Sequence, residues 1–116
     1  MNNNLETIRI FSEDVIPVYD TDTGEKVVLG RELYERLKIK TDYTHWFARM
    51  CEYGFVDGTD YFTDVKNVTR DDGRKMPQKQ IDHIITLDMA KHIAMIQRTP
   101  QGMEIRQKLI DLEKNV

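Results

Sequence analysis

The spacing of apolar residues changes at residue 30 of this chain, and that change limits the folds open to it. Residues 15–19 and 26–29 are short β-type runs, and residues 20–24 between them are turn formers, a pattern that predicts a hairpin. From Gly30 onward, apolar residues recur three and four positions apart, as on one face of a helix. The chain therefore needs both strands and helices.

Two short helices are predicted directly after the first hairpin. Leu33 and Leu37 mark the first helix, and Thr41 is the expected N-cap of the second, which ends near Gly54. The apolar residues of the second helix follow helical spacing: Tyr43, Trp46, Phe47 and Met50. A helix, a tight turn and a second helix of this length resemble a helix-turn-helix.

The second half of the chain predicts another hairpin and two more helices. Residues 61–68 and 80–85 are candidate strands, Thr86 caps a helix, and the last helix begins at Pro100. The predicted fold is α+β: a small domain with two β-hairpins, a helix-turn-helix-like helix pair and two C-terminal helices. We expect residues 1–116 to form this single domain, followed by a separate C-terminal domain in the full protein, because the last helix lacks a stop signal.

Composition is typical of a soluble single domain. Of the 116 residues, 40% are hydrophobic and 32% are charged, which is enough for one core. Apolar runs reach four residues at most, and the N-terminus lacks the basic and apolar regions of a signal peptide. Cys51 is the single cysteine, so we expect a packed thiol and no intrachain disulfide. These features predict a cytoplasmic protein with no membrane partner.

The charge pattern bears on the kind of partner. The net charge is −3, and residues 1–26 hold six acidic and two basic residues, which leaves the rest near neutral. Non-specific DNA affinity comes from Lys and Arg at phosphates, so a DNA-binding face has to be a local basic cluster.

The helix pair carries the first cluster of candidate binding residues. These side chains are able to contact phosphates and base edges, or a protein partner. They are Arg36, Lys38, Lys40, Tyr43, Thr44, His45 and Arg49. The alternative is an ordinary helical corner whose charges form a solvated face. A recognition surface requires that Leu33, Leu37 and Trp46 face inward while the candidate residues face outward.

The charged segment at residues 66–79 carries the second cluster, at the tip of the second predicted hairpin. Its candidate binding residues are Lys66, Arg70, Arg74 and Lys75. Beside a helix-turn-helix, such a tip would grip backbone phosphate. The alternative is that these charges only keep edge strands from pairing with other chains.

The sequence offers no pattern of a catalytic or cofactor-binding site. His83 and His92 lack neighbours at zinc-ligand spacing, and the glycines are too dispersed for a phosphate-binding loop. We therefore expect no enzyme activity, no metal and no cofactor, with both histidines satisfied or solvent-facing. Three methionines at near-helical spacing are expected to fill the core, and the alternative is an adaptable hydrophobic binding surface: Met89, Met95 and Met103.

Several segments together resemble one known family. They are VLGRELYERL (28–37), YTHWF (43–47), EYGFVDGTDYF (52–62), HIITLDMAK (83–91) and residues 102–107. Over about residues 26–113 the chain is similar to the AntA/AntB antirepressor domain. Its most specific signatures are Trp46, YGF (53–55) and TLDMAK (86–91).

The resemblance implies a phage or prophage regulator in the cytoplasm of the bacterial host cell, one that relieves repression of lytic genes. Its partner would be a phage repressor protein or the regulatory complex of that repressor. Two alternatives stay open: a sequence-specific regulator that binds duplex DNA through the same surface, and an oligomerisation module. In the oligomerisation module, an exposed stripe of Ile105, Leu109 and Leu112 on the C-terminal helix would form a homodimer.

Overall fold

The computed structural model describes residues 8–68 and 78–114 of the chain. Its elements, in chain order, are β1 Arg9–Ser12, β2 Val18–Asp20, β3 Lys26–Leu29, α1 Gly30–Arg36, α2 Tyr43–Cys51, β4 Tyr61–Val68, β5 Gln78–Thr86, α3 Leu87–Ile96 and α4 Pro100–Lys114. The α+β class is confirmed, with both hairpins, the helix pair and the two C-terminal helices. Within these two ranges, no helix combines the length and apolar character needed to cross a membrane.

The strands form one antiparallel five-stranded sheet in the order β1-β2-β3-β5-β4. Ile85 of β5 lies opposite Val28 on one side and Tyr61 on the other, which sets the register of the central strands. The sequence did not predict β1, because its RIFS segment is mostly exposed and lacks alternation. β2 starts at Val18, later than predicted, because Val15 adopts a left-handed backbone conformation with φ 68°.

The main core joins one face of the sheet to all four helices. Val28 and Ile85 are fully buried in it, together with side chains from α1, α2, α3 and α4. The helix α3 is central to this core: Met89, Ala90 and Ile93 have no exposed surface. Burial of one large aliphatic side chain contributes about 1.5–3 kcal/mol. This cluster therefore determines where the helices sit on the sheet.

The C-terminal helix α4 differs from the sequence prediction. Ile105 and Leu109 are buried in the main core, and Leu112 is partly buried against it, so the prediction of an exposed stripe is wrong. Gly102 leaves no room for a side chain beside the Ala94 carbonyl oxygen, which lets α4 lie close to α3. Because α4 uses its apolar face inside the domain, this stripe is not available for a homodimer.

Only one of the three methionines fills the core. Met89 is fully buried, whereas Met95 is exposed and Met103 is 72% exposed, so the prediction is wrong for the last two. Met95 lies in α3 with Met89, but a separation of six residues places the two side chains on different sides of that helix, and Met103 lies beyond the break between α3 and α4. Spacing carries no information about a shared face once the helix is interrupted.

Candidate functional site

Two contacts from a distant strand hold α1 in place. The backbone N–H of Arg31 donates to Asp82 Oδ1 (2.9 Å), and Arg31 Nε donates to the Ile81 carbonyl oxygen (2.7 Å). Asp82 is buried and caps α1, whose own N-cap residue, Leu29, has no capping side chain. Nothing in the sequence around α1 indicates this acid, which lies 51 positions away.

The second helix, α2, is capped by Asp42 and not by the predicted Thr41. The Asp42 carboxylate accepts from the backbone N–H of His45 at 3.1 Å, and its other oxygen lies 2.6 Å from His45 Nδ1. These side-chain and backbone hydrogen bonds from His45 lower the pKa of Asp42. An ionised acid therefore occupies the positive end of the helix dipole.

The inner face of α2 is an aromatic cluster. Phe47 stacks on the His83 ring with 3.7 Å between centroids, and Tyr43 Oη forms a 2.6 Å hydrogen bond with His83 Nδ1. Burial lowers the pKa of His83 to about 4 and raises the pKa of Tyr43, so both groups are neutral at pH 7. The prediction of a satisfied histidine at position 83 is confirmed.

Tyr43 does not lie on the outer face of α2. Its side chain is 4% exposed and its ring packs against Tyr34, Trp46 and Phe47, so the prediction that it faces outward is wrong. The apolar repeat of α2 starts at Tyr43, and the ring follows that repeat. Its hydroxyl finds a partner inside the fold, as buried tyrosines commonly do.

The other predicted residues of the helix pair are exposed. Arg36 is held in place, because its Nη1 donates to the Val15 carbonyl oxygen (2.8 Å) and ties the end of α1 to the loop before β2. The structure brings three predicted residues together on the outer face of α2 and places the two lysines in the turn before it. In chain order these five are Lys38, Lys40, Thr44, His45 and Arg49.

The second cluster of predicted residues lies mostly outside the described part of the chain. This applies to Arg70, Arg74 and Lys75. Lys66 is a residue of β4, where it lies opposite Gln80 in the register. The role of these four residues stays a prediction.

Tyr53, an exposed aromatic residue just after α2, was not among the binding residues predicted from the sequence. Tyr53 is 64% exposed, and Val56, three residues later in the chain, is also exposed. Because α2 ends at Cys51 and the chain turns at Gly54 with φ 107°, Tyr53 lies beyond the helix and does not follow its apolar face. The sequence did contain a signal for this exposure, because Tyr53 directly precedes Gly54 and a glycine commonly ends a helix. A depression of about 300 Å³ is lined by Arg49, Met50, Glu52 and Tyr53.

A groove of about 430 Å³ lies between α2 and the strands β4 and β5, and Cys51 lines it. A side-chain hydrogen bond with Cys51 raises the pKa of Tyr61 to about 12, and burial raises the pKa of the Cys51 thiol. Cys51 is partly buried and packs against the main core, which confirms the prediction of a packed thiol. Across residues 8–68 and 78–114, no group of three His, Cys, Asp or Glu side chains is arranged to hold a metal ion.

Comparison with known proteins identifies one family. Residues 28–99 match the model of the AntA/AntB antirepressor family, from β3 through the end of α3. Residues 102–107, which we expected to belong to the resemblance, lie outside that match. No curated protein and no solved structure matches the chain significantly. The matched region is well over half of the chain and contains α1, α2 and the β4–β5 hairpin, so this protein belongs to the AntA/AntB antirepressor family.

Proposed function

We propose that this chain is a phage antirepressor that binds a repressor protein directly, through a surface made by Thr44, His45, Arg49 and Tyr53, here called the α2 surface. Membership of the AntA/AntB family supports a regulatory role of this kind. The observation that carries the proposal is the exposure of these four side chains beside a helix whose inner face is locked into the core.

The residue types of the α2 surface suit a protein partner. Arginine and tyrosine are the residues most often responsible for binding energy at protein interfaces, and they act best when surrounded by polar contacts that exclude water. Arg49 and Tyr53 line the same depression, with Thr44 and His45 exposed farther along α2. A partner side chain inserted at this depression would contact both.

The charges around α2 favour a protein over DNA. The N-terminus of a helix attracts phosphate because it is the positive end of the helix dipole. In α2 the negative charge of Asp42 already occupies this end and would repel a phosphate. Residues 35–52 carry four basic and three acidic side chains, so the local excess of positive charge is small. Affinity for duplex DNA rises with the number of phosphates neutralised, and this surface neutralises few.

The test measures binding to the purified repressor of a phage whose lytic promoter the chain derepresses. We expect a complex at both roughly 50 mM and 300 mM salt, because the surface does not rely on counterion release. Arg49→Glu should weaken it by about 30-fold, the effect of losing one interface hot spot. Arg106→Glu, on the exposed side of α4, is the matched control and should bind normally.

The same assay with duplex operator DNA distinguishes repressor binding from the DNA-binding alternative. If the chain binds duplex with an affinity that falls steeply with salt and does not bind the repressor, the proposal is wrong and the DNA-binding alternative holds. Equal loss of repressor binding in Arg49→Glu and Arg106→Glu would place the interface elsewhere.

A further inference from the structure

The two edges of the sheet differ in how well they are protected. β1 has four residues, and its pairing with β2 shifts register between Ile10 and Ser12. Short edge strands and bulges discourage pairing with another chain. β4 has eight residues and pairs with β5 along its whole length without a shift. A long regular edge strand is a template for another strand.

The backbone of β4 shows which residues face that outer edge. The N–H of Thr86 donates to the Asp60 carbonyl oxygen (3.0 Å), whereas the Tyr61 carbonyl oxygen accepts from Gly58 N–H (2.8 Å). In an antiparallel pair, residues alternate between bonding to the partner strand and pointing away from it. Residues 63, 65 and 67 therefore present N–H and C=O groups outward. Within the described ranges, β5 is the only strand beside β4.

Apolar side chains accompany these backbone groups on both faces of the edge. Val65 is 54% exposed and lies opposite Ile81 of β5, which is also exposed. Phe62 is exposed on the other face of the sheet. A strand added to this edge would cover apolar surface and satisfy backbone groups in one step.

We propose that β4 pairs antiparallel with β4 of a second copy of this chain, about a two-fold axis at Val65, so that two sheets join into one. In this register, Val65 lies opposite Val65 of the second copy, and position 63 lies opposite position 67. Position 64 lies opposite position 66. The outward residues at odd positions then form the hydrogen-bonded pairs, and positions 64 and 66 form non-hydrogen-bonded pairs, where side chains approach most closely.

The charges at positions 64 and 66 support this register and a second copy as the occupant. Positions 64 and 66 are Asp and Lys, so the two-fold arrangement sets an acid opposite a base twice. A two-fold axis at position 64 or at position 66 would set like charges opposite each other, which is unfavourable. The strand is thus complementary to itself.

This proposal is independent of repressor binding and is tested by the mass of the whole chain in solution. Sedimentation or light scattering from roughly 1 to 300 µM should show a monomer giving way to a dimer. Asp64→Lys and Lys66→Asp should each weaken the dimer by about tenfold or more, because each replaces attraction by repulsion. The double variant restores opposite charges and should restore the dimer.

Two further variants keep the test decisive. Val65→Pro removes an outward N–H that β5 does not use, so it should abolish the dimer while circular dichroism stays that of the folded chain. Asp111→Lys, on the exposed side of α4, should leave the dimer intact. A strict monomer at the highest concentration overturns the proposal, as does a folded double variant that fails to recover the dimer. Loss of the dimer in Asp111→Lys alone would place the interface on α4 and would also overturn it.

Discussion

The inner and outer faces of α2 belong to one nine-residue helix but have different surroundings. On the inner face, Trp46 and Phe47 are buried against rings from α1, β4 and β5. On the outer face, Thr44, His45 and Arg49 are exposed. We infer from this difference that the stability of the fold depends on the inner face, whereas the partner binding that we propose depends on the outer face.

The largest effect is expected from Trp46→Ala. The indole is 1% exposed in the centre of the aromatic cluster, and truncation of a buried aromatic residue costs about 3–5 kcal/mol. Urea unfolding of this variant and of Thr44→Ala, on the outer face, measures the contrast directly. A loss for Trp46→Ala no larger than that for Thr44→Ala would refute the assignment of the two faces.

A smaller loss is expected from Gly30→Ala, although alanine is the better helix former. A methyl group at position 30 would collide with the Tyr43 hydroxyl and crowd Asp82. Overpacking of this kind costs typically about 1–3 kcal/mol. Thermal unfolding measures whether Gly30→Ala lowers or raises the stability of the fold. A variant more stable than the parent chain would show that the inner face has room to adjust.

Acidification should destabilise the inner face through His83. Its pKa of about 4 in the fold lies below the ordinary value of 6.5, so the unfolded chain binds the proton more tightly. Stability is then retained above about pH 6.5 and lost as pH falls toward 4, by about 2 kcal/mol between pH 7 and 5. His83→Gln should remove most of this loss. Thr44→Ala, on the outer face, should leave this loss unchanged; the reverse result would contradict the burial of His83.

The smallest change in stability is expected on the α2 surface. Arg49→Glu and Tyr53→Ala should each alter the free energy of unfolding by less than about 0.5 kcal/mol, because neither residue supports the core. Chemical denaturation checks this, and the repressor-binding assay is run on the same samples. A variant that loses binding and stability together would mean that the surface is part of the folding core.

Local patterns were sufficient for most of the fold. Two hairpins, the helix pair and the C-terminal helices follow from periodicity and turn residues, which act over a few positions. The exposed residues of the site on α2 follow from the same amphipathic pattern. Tyr43 was misplaced because a tyrosine suits either a surface or a core, and its buried partner, His83, lies 40 positions away.

The amino-acid sequence by itself determined most of the segments that become helices and strands, and the family to which the chain belongs. The tertiary structure decided what those segments face: Asp82 caps α1 from β5, Ile105 and Leu109 turn into the core, and Tyr53 stays in solvent. The physical reason is that periodicity specifies an apolar face within one element. Whether that face is covered depends on surfaces contributed by residues far away in the chain.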